Sequence, residues 1–163
     1  MTDKKTKEQV LALLQQNARL TAAEIAKRLQ LDEDEVQTFI ATCERNNTIH
    51  GYRALVDPDA MPPRVRALIE VSVQPERDSG FDHIARNVSR FPEVVDVTLV
   101  SGTYDLMLTV VGETLHEVAD FVATKLAPMD GIRHHSTHFV LKKYKEAGFV
   151  LEDDEEYERL NIT

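Results

Sequence analysis

Two helix-start signals lie close together in the first third of the chain, and they constrain its fold more than any other feature. Thr21 with Glu24, and Asp32 with Glu35, each place a capping side chain three residues before a glutamate at the start of an apolar helical repeat. The turn between the two helices is only about three residues long. Such a short turn forces the helices to cross steeply. The sequence therefore predicts a helix-turn-helix, with a further helix before it that ends near Asn17.

The second helix of this motif has one apolar and one polar face. Its buried face carries Val36, Phe39, Ile40 and Cys43 at helical spacing. Cys43 is the only cysteine, so it forms no internal disulfide, and its spacing indicates a small core residue. The opposite face offers Gln37 and Thr38, side chains that suit adenine and the thymine methyl group. This face is the predicted DNA-reading surface.

Thr48 to Val56 alternates polar and apolar residues around a glycine, which is typical of the wing of a winged helix. Arg53 and His50 would then approach phosphates. The next eight residues, 57 to 64, contain three prolines and can continue neither a helix nor a central strand. We therefore predict three parts: a winged helix-turn-helix over 1–60, a second domain over 61–145, and an acidic C-terminal extension over 146–163.

The second domain reads as β-α-β-β-α-β. Strand periodicity and helix caps place its elements at Val65 to Val73, Phe81 to Phe91, Val94 to Val100, Tyr104 to Val111, a helix capped by Thr114, and Ile132 to Tyr144. This order predicts a ferredoxin-like α+β sandwich with two helices on one sheet face. The other face would expose residues such as Leu68, Leu106 and Phe139. Such a face is an association surface, so we expect a homodimer formed through the sheets.

Both halves resemble the Lrp/AsnC family of prokaryotic regulators. The N-terminal likeness lies in Leu20 to Leu29, Asp32 to Asn46 and Ile49-His-Gly-Tyr52, and the C-terminal likeness lies in the hairpin Val100 to Leu108. The resemblance implies a cytoplasmic transcriptional regulator that binds double-stranded DNA, senses an amino acid or similar small molecule, needs no cofactor and is not an enzyme. The resemblance also implies that such dimers can assemble into octamers, as they often do in relatives.

Candidate site residues follow from the face pattern and from the resemblance. The expected DNA contacts are Lys27, Arg28, Gln37, Thr38, Arg45 and Arg53. By analogy, the effector contacts are Ser101, Gly102, Thr103, Tyr104, Asp105, Ser136 and Thr137. Glycine lets a ligand approach the backbone, the N–H groups of a turn hold a carboxylate, and a carboxylate accepts from an ammonium. A well-formed hairpin turn with no ligand is the alternative.

The charge pattern departs from the family. The net charge is -9, and the reading helix begins with four carboxylates, Asp32 to Glu35, where a duplex would approach. Carboxylates at a helix N-terminus also complement the helix dipole, which explains them without any loss of function. DNA binding remains the prediction, and a regulator that no longer binds DNA is an alternative. More than half of the acidic excess lies in residues 145–163, which carry 2 basic and 7 acidic side chains.

An enzyme related to the sirohaem decarboxylases is the second alternative, because those enzymes resemble this family in fold. The intact helix-turn-helix and the lack of an acid-base constellation argue against it. His134, His135 and His138 invite a metal interpretation. On a strand, His134 and His138 share a face but lie about 13 Å apart, and His135 points away. We therefore predict no metal site within one chain, and a site shared across a subunit interface stays an alternative.

Overall fold

The structure is a computed structural model that describes residues 3–57, 60–74 and 81–151. The chain divides into two compact units, Met1–Leu55 and Val56–Thr163. Each unit has its own cluster of buried apolar side chains. The division falls a few residues before the boundary that the prolines indicate. The acidic block from Glu152 onward lies outside the described residues.

The N-terminal unit contains three helices, α1 (Lys4–Gln16), α2 (Ala22–Leu29) and α3 (Glu33–Arg45). Both predicted caps are present. The Thr21 hydroxyl accepts from the Glu24 N–H at 3.2 Å, and the Glu24 carboxylate accepts from the Thr21 N–H at 2.8 Å. Asp32 accepts from the Glu35 N–H at 3.1 Å. Gln30, in the left-handed region with φ 57°, ends α2 and begins the tight turn. The helix-turn-helix thus has the local chemistry that the sequence indicates.

The core of this unit explains why α3 is held with one face outward. Ile25 of α2 and Val36 of α3 are fully buried, together with Val10 of α1. Each such side chain contributes about 1.5–3 kcal/mol relative to exposure. Cys43 is also buried, as predicted, and burial raises the pKa of its thiol above the ordinary value. Cys43 is therefore a packing residue with little thiolate at neutral pH.

The segment after α3 is exposed. Between His50 and Asp57 no residue belongs to a strand, so the predicted wing is here an exposed segment without paired strands, which we call the arm. Tyr52 fixes this arm to α3, because its hydroxyl donates to the Glu44 carboxylate at 2.9 Å. Burial and that hydrogen bond raise the pKa of Tyr52 above its ordinary value. The arm therefore has a defined attachment at the C-terminal half of α3.

The C-terminal unit has the predicted element order, with small shifts at the ends. Its elements are β1 (Val65–Val73), α4 (Asp82–Val88), β2 (Val94–Leu99), β3 (Leu106–Gly112), α5 (Leu115–Phe121, continued by a π-helical turn Val122–Leu126) and β4 (Ile132–Phe139). The sheet is antiparallel with the strand order β2-β3-β1-β4. Phe91 and Phe121 meet edge to face in its core, with ring centroids 5.6 Å apart.

One sheet face packs against the helices, and we call the other the open face. Ala67, Ile69 and Val71 of β1 belong to the core cluster. The open face therefore carries the intervening residues of β1 and their neighbours across the ladder: Arg66, Leu68, Glu70, Met107, Thr109, Val111, Ser136 and His138.

Two of the three residues predicted for the association surface are wrong. Leu106 is fully buried, because it lies beside Val71 on the helix side. Phe139 lies beside Ala67, so it also belongs to the helix side, where it is 40% exposed at the edge strand. Only Leu68 lies on the open face. The period of two was correct for β1, but the phases of β3 and β4 depend on the register between strands.

The fourth strand is shorter than predicted. It ends at Phe139 rather than Tyr144, because its partner β1 begins at Val65, directly after a stretch that contains Pro62 and Pro63. A last hydrogen bond joins the Val140 N–H to the Arg66 carbonyl at 2.9 Å. Prolines donate no ladder hydrogen bond, so the pairing stops there.

The first residues of the predicted acidic extension form a small hairpin. Its strands are β5 (Lys145–Glu146) and β6 (Phe149–Val150). Ala147 and Gly148 both have positive φ, at 46° and 91°, which is the signature of a two-residue type I′ turn. The extension therefore begins with a hairpin, because an Ala-Gly turn joins two short strand-forming pairs.

The fold requires a glycine at position 131, in the turn before β4, and this requirement can be tested by substitution. Its φ is +87°, and an added Cβ would lie 2.6 Å from Cδ1 of Ile84, a side chain that is 2% exposed. We expect Gly131→Ala to lower the free energy of unfolding by about 1–3 kcal/mol in urea denaturation. Gly148→Ala is the matched control, because its φ is +91° and its Cβ would meet no atom within 4 Å. Equal losses in the two variants would contradict the packing explanation.

Candidate functional sites

The outward face of α3 presents the polar side chains predicted to read DNA. Gln37 and Thr38 are both exposed, and Thr38 lies one turn before Thr42, whose hydroxyl donates to the Thr38 carbonyl at 2.8 Å. The side-chain amide of Gln37 offers a donor and an acceptor in one plane. The structure therefore places both predicted reading residues together on one solvent-facing stretch of helix.

Arg45 lies at the end of the same helix and folds back on it. Its Nε donates to the Ala41 carbonyl at 3.3 Å, and a terminal nitrogen donates to the Thr42 hydroxyl at 3.2 Å. Both bonds are exposed, so they exchange readily for a phosphate, which is a stronger acceptor because it is charged. Arg45 is thus available as a phosphate contact.

The remaining predicted DNA contacts are also exposed. Lys27 and Arg28 occupy the last turn of α2, where positive charge complements the helix dipole. Arg53 lies on the arm beside Tyr52, which is attached to α3. Three elements of the N-terminal unit therefore contribute cations.

The acidic first turn of α3 is as exposed as its sequence indicates. Glu33, Asp34 and Glu35 form the first turn, and the side chain of Asp32 caps it. The cap accounts for Asp32, and the dipole accounts for acidic residues at this end. The same turn carries negative charge toward any duplex that approaches the N-terminal half of α3. The local charge therefore opposes phosphate, and the cations of α2 and the arm offset it.

The loop between β2 and β3 contains five of the seven predicted effector residues. Gly102 has φ +153°, a conformation that L side chains rarely adopt, and an added Cβ would meet no atom within 4 Å. Glycine is therefore required by the backbone conformation, and the space beside it is open. Ser101, Gly102 and Thr103 are exposed, whereas Tyr104 and Asp105 are half-buried.

The backbone of this loop has free donors. Among the residues that the structure describes, none accepts a hydrogen bond from the N–H groups of residues 101 to 104. The two flanking amides are paired: the Val100 N–H donates to the Asp105 carbonyl at 2.9 Å, and the Asp105 N–H donates to the Val71 carbonyl at 3.0 Å. A turn with several unpaired N–H groups is a binding surface for an anionic group such as a carboxylate.

The two effector residues predicted on β4 do not share a face. Ser136 lies beside Glu70 on the open face, and Thr137 lies beside Ile69 on the helix side. Within one chain, β1 separates β4 from the β2-β3 loop, a gap of two strand spacings or roughly 10 Å. A single chain therefore does not bring this pair together with the loop.

The histidines of β4 follow the predicted alternation. His134 and His138 lie on the open face, and His135 lies on the other. His138 approaches Glu70 at 3.6 Å and the Ser136 hydroxyl at 3.4 Å through the same nitrogen, Nε2. A serine-histidine-carboxylate relay requires opposite ring nitrogens, so this group is not one. Within residues 3–57, 60–74 and 81–151, no three His, Cys, Asp or Glu side chains are grouped closely enough for a metal ion.

A cavity of about 280 Å³, which no sequence pattern indicated, lies at the C-terminal end of β3, between that strand and α5. Its charged lining is three carboxylates and one ammonium, Glu93, Glu117, Asp120 and Lys125. Lys125 pairs with Glu93 and holds the pKa of Glu93 below its ordinary value. The negative surplus disfavours an anionic ligand group, so this cavity is a weaker candidate for an effector site than the β2-β3 loop.

Comparison with known proteins decides the family. The family model of the Lrp/AsnC ligand binding domain matches residues 66–150, and a winged helix-turn-helix DNA-binding model matches residues 3–49. The chain belongs to the Lrp/AsnC family of transcriptional regulators. This result confirms the predicted family and its two-part fold, a winged helix-turn-helix followed by a βαββαβ domain.

Individual relatives support the same assignment. This Lrp/AsnC regulator is 37% identical to the uncharacterized HTH-type transcriptional regulator YugG of Bacillus subtilis (strain 168), over 100% of this chain and 98% of that protein. It is 22% identical to the leucine-responsive regulatory protein of Haemophilus influenzae, over 87% and 86%. It is similar in structure to a transcriptional regulator from Neisseria meningitidis solved as an L-Met complex, with a TM-score of 0.68 and 28% identity, over 89% of this chain and 94% of that one.

These relatives are regulators, so the chain is a DNA-binding transcriptional regulator with a ligand-binding domain. The decarboxylase alternative finds no support among them. Within the part of the chain that the structure describes, no helix is long and apolar enough to cross a membrane.

Proposed function

We propose that this regulator reads a specific duplex sequence with α3 and adjusts that binding when its C-terminal unit binds an amino acid. The observation that carries the first half is the exposed pair Gln37 and Thr38 on a helix whose other face is buried. Base contacts give sequence preference, and cations on the phosphates give most of the affinity. In this proposal, residues 1–60 bind DNA, residues 61–145 bind the effector and a second copy, and the protein acts in the cytoplasm.

The division of labour within the DNA surface is testable. We expect Gln37→Ala to reduce the preference for the cognate duplex over a scrambled one by about tenfold, with an unchanged salt dependence, because it removes a bidentate base contact. Lys27→Ala should weaken binding to both duplexes equally and reduce the salt slope by about one. The measurement is fluorescence anisotropy on duplexes selected from a random pool. A loss of affinity without any change in preference for Gln37→Ala would contradict the reading role.

The effector site is proposed at residues 101 to 105. Its unpaired N–H groups suit a carboxylate, and the open space beside Gly102 admits a ligand. The relative from Neisseria meningitidis was solved with L-Met, which supports an amino acid as the ligand class here. Because β1 separates Ser136 and Thr137 from this loop within one chain, any part that they play in this site requires a second subunit. Thermal-shift measurements with the twenty L-amino acids test the site, and no stabilisation by any of them would contradict it.

Self-association is proposed through the open face. Leu68 is 36% exposed at its centre, and Met107 and Val111 are half-buried around it. An apolar centre surrounded by charged and polar side chains such as Arg66 and Glu70 is the composition expected of a homodimer interface. A regulator with a two-fold axis would then recognise a palindromic site.

The acidic first turn of α3 favours one other function, a regulator that assembles with partners but does not touch DNA. The two proposals differ in one observable. The DNA-binding regulator binds duplexes with a strong salt dependence, whereas the alternative does not bind duplexes even at low salt.

A further inference from the structure

We infer that Asp105 is a positioning residue that holds the effector loop against β1, and that it is not a contact to the effector. Its side chain makes a hydrogen bond that replaces a main-chain one in the β1-β3 ladder, and we call this bond the rung. This inference rests on the proposed effector site at residues 101 to 105. It replaces the expectation that the Asp105 carboxylate receives an ammonium group.

Asp105 contacts the backbone of β1 at two points. Its N–H donates to the Val71 carbonyl at 3.0 Å, and its carboxylate oxygen Oδ2 accepts from the Val73 N–H at 2.9 Å. The regular β1-β3 pairing ends one step earlier, at Val71 and Leu106. The carboxylate therefore takes the place that a main-chain carbonyl would occupy if the ladder continued.

This substitution explains how the loop leaves the sheet. The Val73 side chain is 4% exposed, and its N–H needs an acceptor at a position where β3 no longer supplies one. Because the side chain of Asp105 supplies that acceptor, the main chain of residues 101 to 104 turns away and keeps its N–H groups unpaired. The Val100 N–H closes the loop on the Asp105 carbonyl. Asp105 thus makes the last hydrogen bond of both the β1-β3 and the β2-β3 pairing.

The two possible roles of Asp105 demand different chemistry. A rung needs an oxygen acceptor at the correct distance, which an asparagine side chain also provides. A contact to an ammonium needs the negative charge, which asparagine lacks. Alanine provides neither. The pair Asp105→Asn and Asp105→Ala therefore separates the two roles, and Asp96→Asn, an exposed carboxylate on β2, controls for the lost charge.

The first measurement is amide hydrogen exchange of the full-length protein without ligand. We expect the Val73 amide to exchange at least about tenfold faster in Asp105→Ala, and within about threefold of wild type in Asp105→Asn and Asp96→Asn. Unchanged Val73 exchange in a folded Asp105→Ala would overturn the rung. If Asp105→Ala does not fold, Asp105→Asn decides: Val73 protection equal to wild type supports the rung, and its loss overturns it.

The second measurement is calorimetric titration with L-methionine as the probe. Asp105→Asn is expected to bind within about threefold of wild type and Asp105→Ala at least about tenfold more weakly. Asp105→Asn that keeps Val73 protection but loses L-methionine would show a direct contact and overturn the inference. If wild type binds no L-methionine, that result excludes L-methionine as the effector, while the amide exchange still decides the role of Asp105.

Discussion

Replacement of both Glu33 and Asp34 by lysine is expected to raise the affinity for duplex DNA by about a hundredfold at low salt. Both side chains are exposed in the first turn of α3, which the proposal places against the duplex. Each change removes a repelled carboxylate and adds an ammonium that releases counterions on binding. The slope of log K against log salt should steepen by about two, one for each added phosphate contact. A binding titration at salt concentrations from roughly 50 to 300 mM measures this slope.

A matched control separates this local effect from the change in net charge. Lysine at Glu113 and Asp130, both exposed in the C-terminal unit, changes the net charge by the same amount. Those variants should raise affinity by no more than about threefold, because the proposal assigns these side chains no duplex contact and exposed charges without such a contact are screened by salt. Equal gains at the two pairs of positions would mean that α3 does not face the DNA. The variants at Glu33 and Asp34 should also lose about 1 kcal/mol of stability through the helix dipole.

Aspartate in place of Leu68 is expected to weaken self-association by about a hundredfold or more. Leu68 lies at the centre of the open face, beside Thr109 on one side and His138 on the other. In a homodimer formed through this face, the new carboxylate would be desolvated against its copy and against Glu70. Sedimentation should show the change from twice 18.5 kDa to 18.5 kDa at micromolar concentration.

The control for this prediction is Leu115→Asp at the start of α5. Leu115 is 57% exposed and does not belong to the sheet, so its replacement should leave the dimer intact. Because Leu68 is already 36% exposed, Leu68→Asp should keep a folded monomer with a cooperative thermal transition. A Leu68→Asp variant that remains dimeric would mean that the subunits associate through another surface.

Local signals explain how much of the N-terminal unit could be predicted from sequence. The caps at Thr21 and Asp32 depend on contacts only three residues apart, so the sequence states them directly. The structure of the arm after α3 was harder to predict. Alternation at residues 48 to 56 resembles a strand, yet a strand needs a partner, and this segment is attached through Tyr52 instead. A period of two reports extended backbone and does not report pairing.

The register between strands explains why the faces of two residues in the C-terminal unit were predicted wrongly. The faces of β1 followed from its own alternation, but the inward position of Leu106 and the helix-side position of Phe139 depend on pairing across strands. The role of Asp105 has the same origin. Its acceptor role toward the Val73 N–H joins residues 32 positions apart, and only the sheet brings them together. The resemblance to a family hairpin predicted the loop, whereas the positioning role of the Asp105 carboxylate is inferred from its hydrogen bond in the folded sheet.

Whether this protein is a sequence-specific regulator that responds to an amino acid is tested by its binding to two duplexes. One duplex comes from upstream of its own gene, and the other is a scrambled duplex of equal composition. The measurement covers a salt series, with and without a mixture of amino acids. We expect at least about a thousandfold preference for the natural sequence, affinity that falls steeply with salt, and a shift of affinity with one amino acid. Equal binding to both duplexes, or no binding at low salt, would contradict this function.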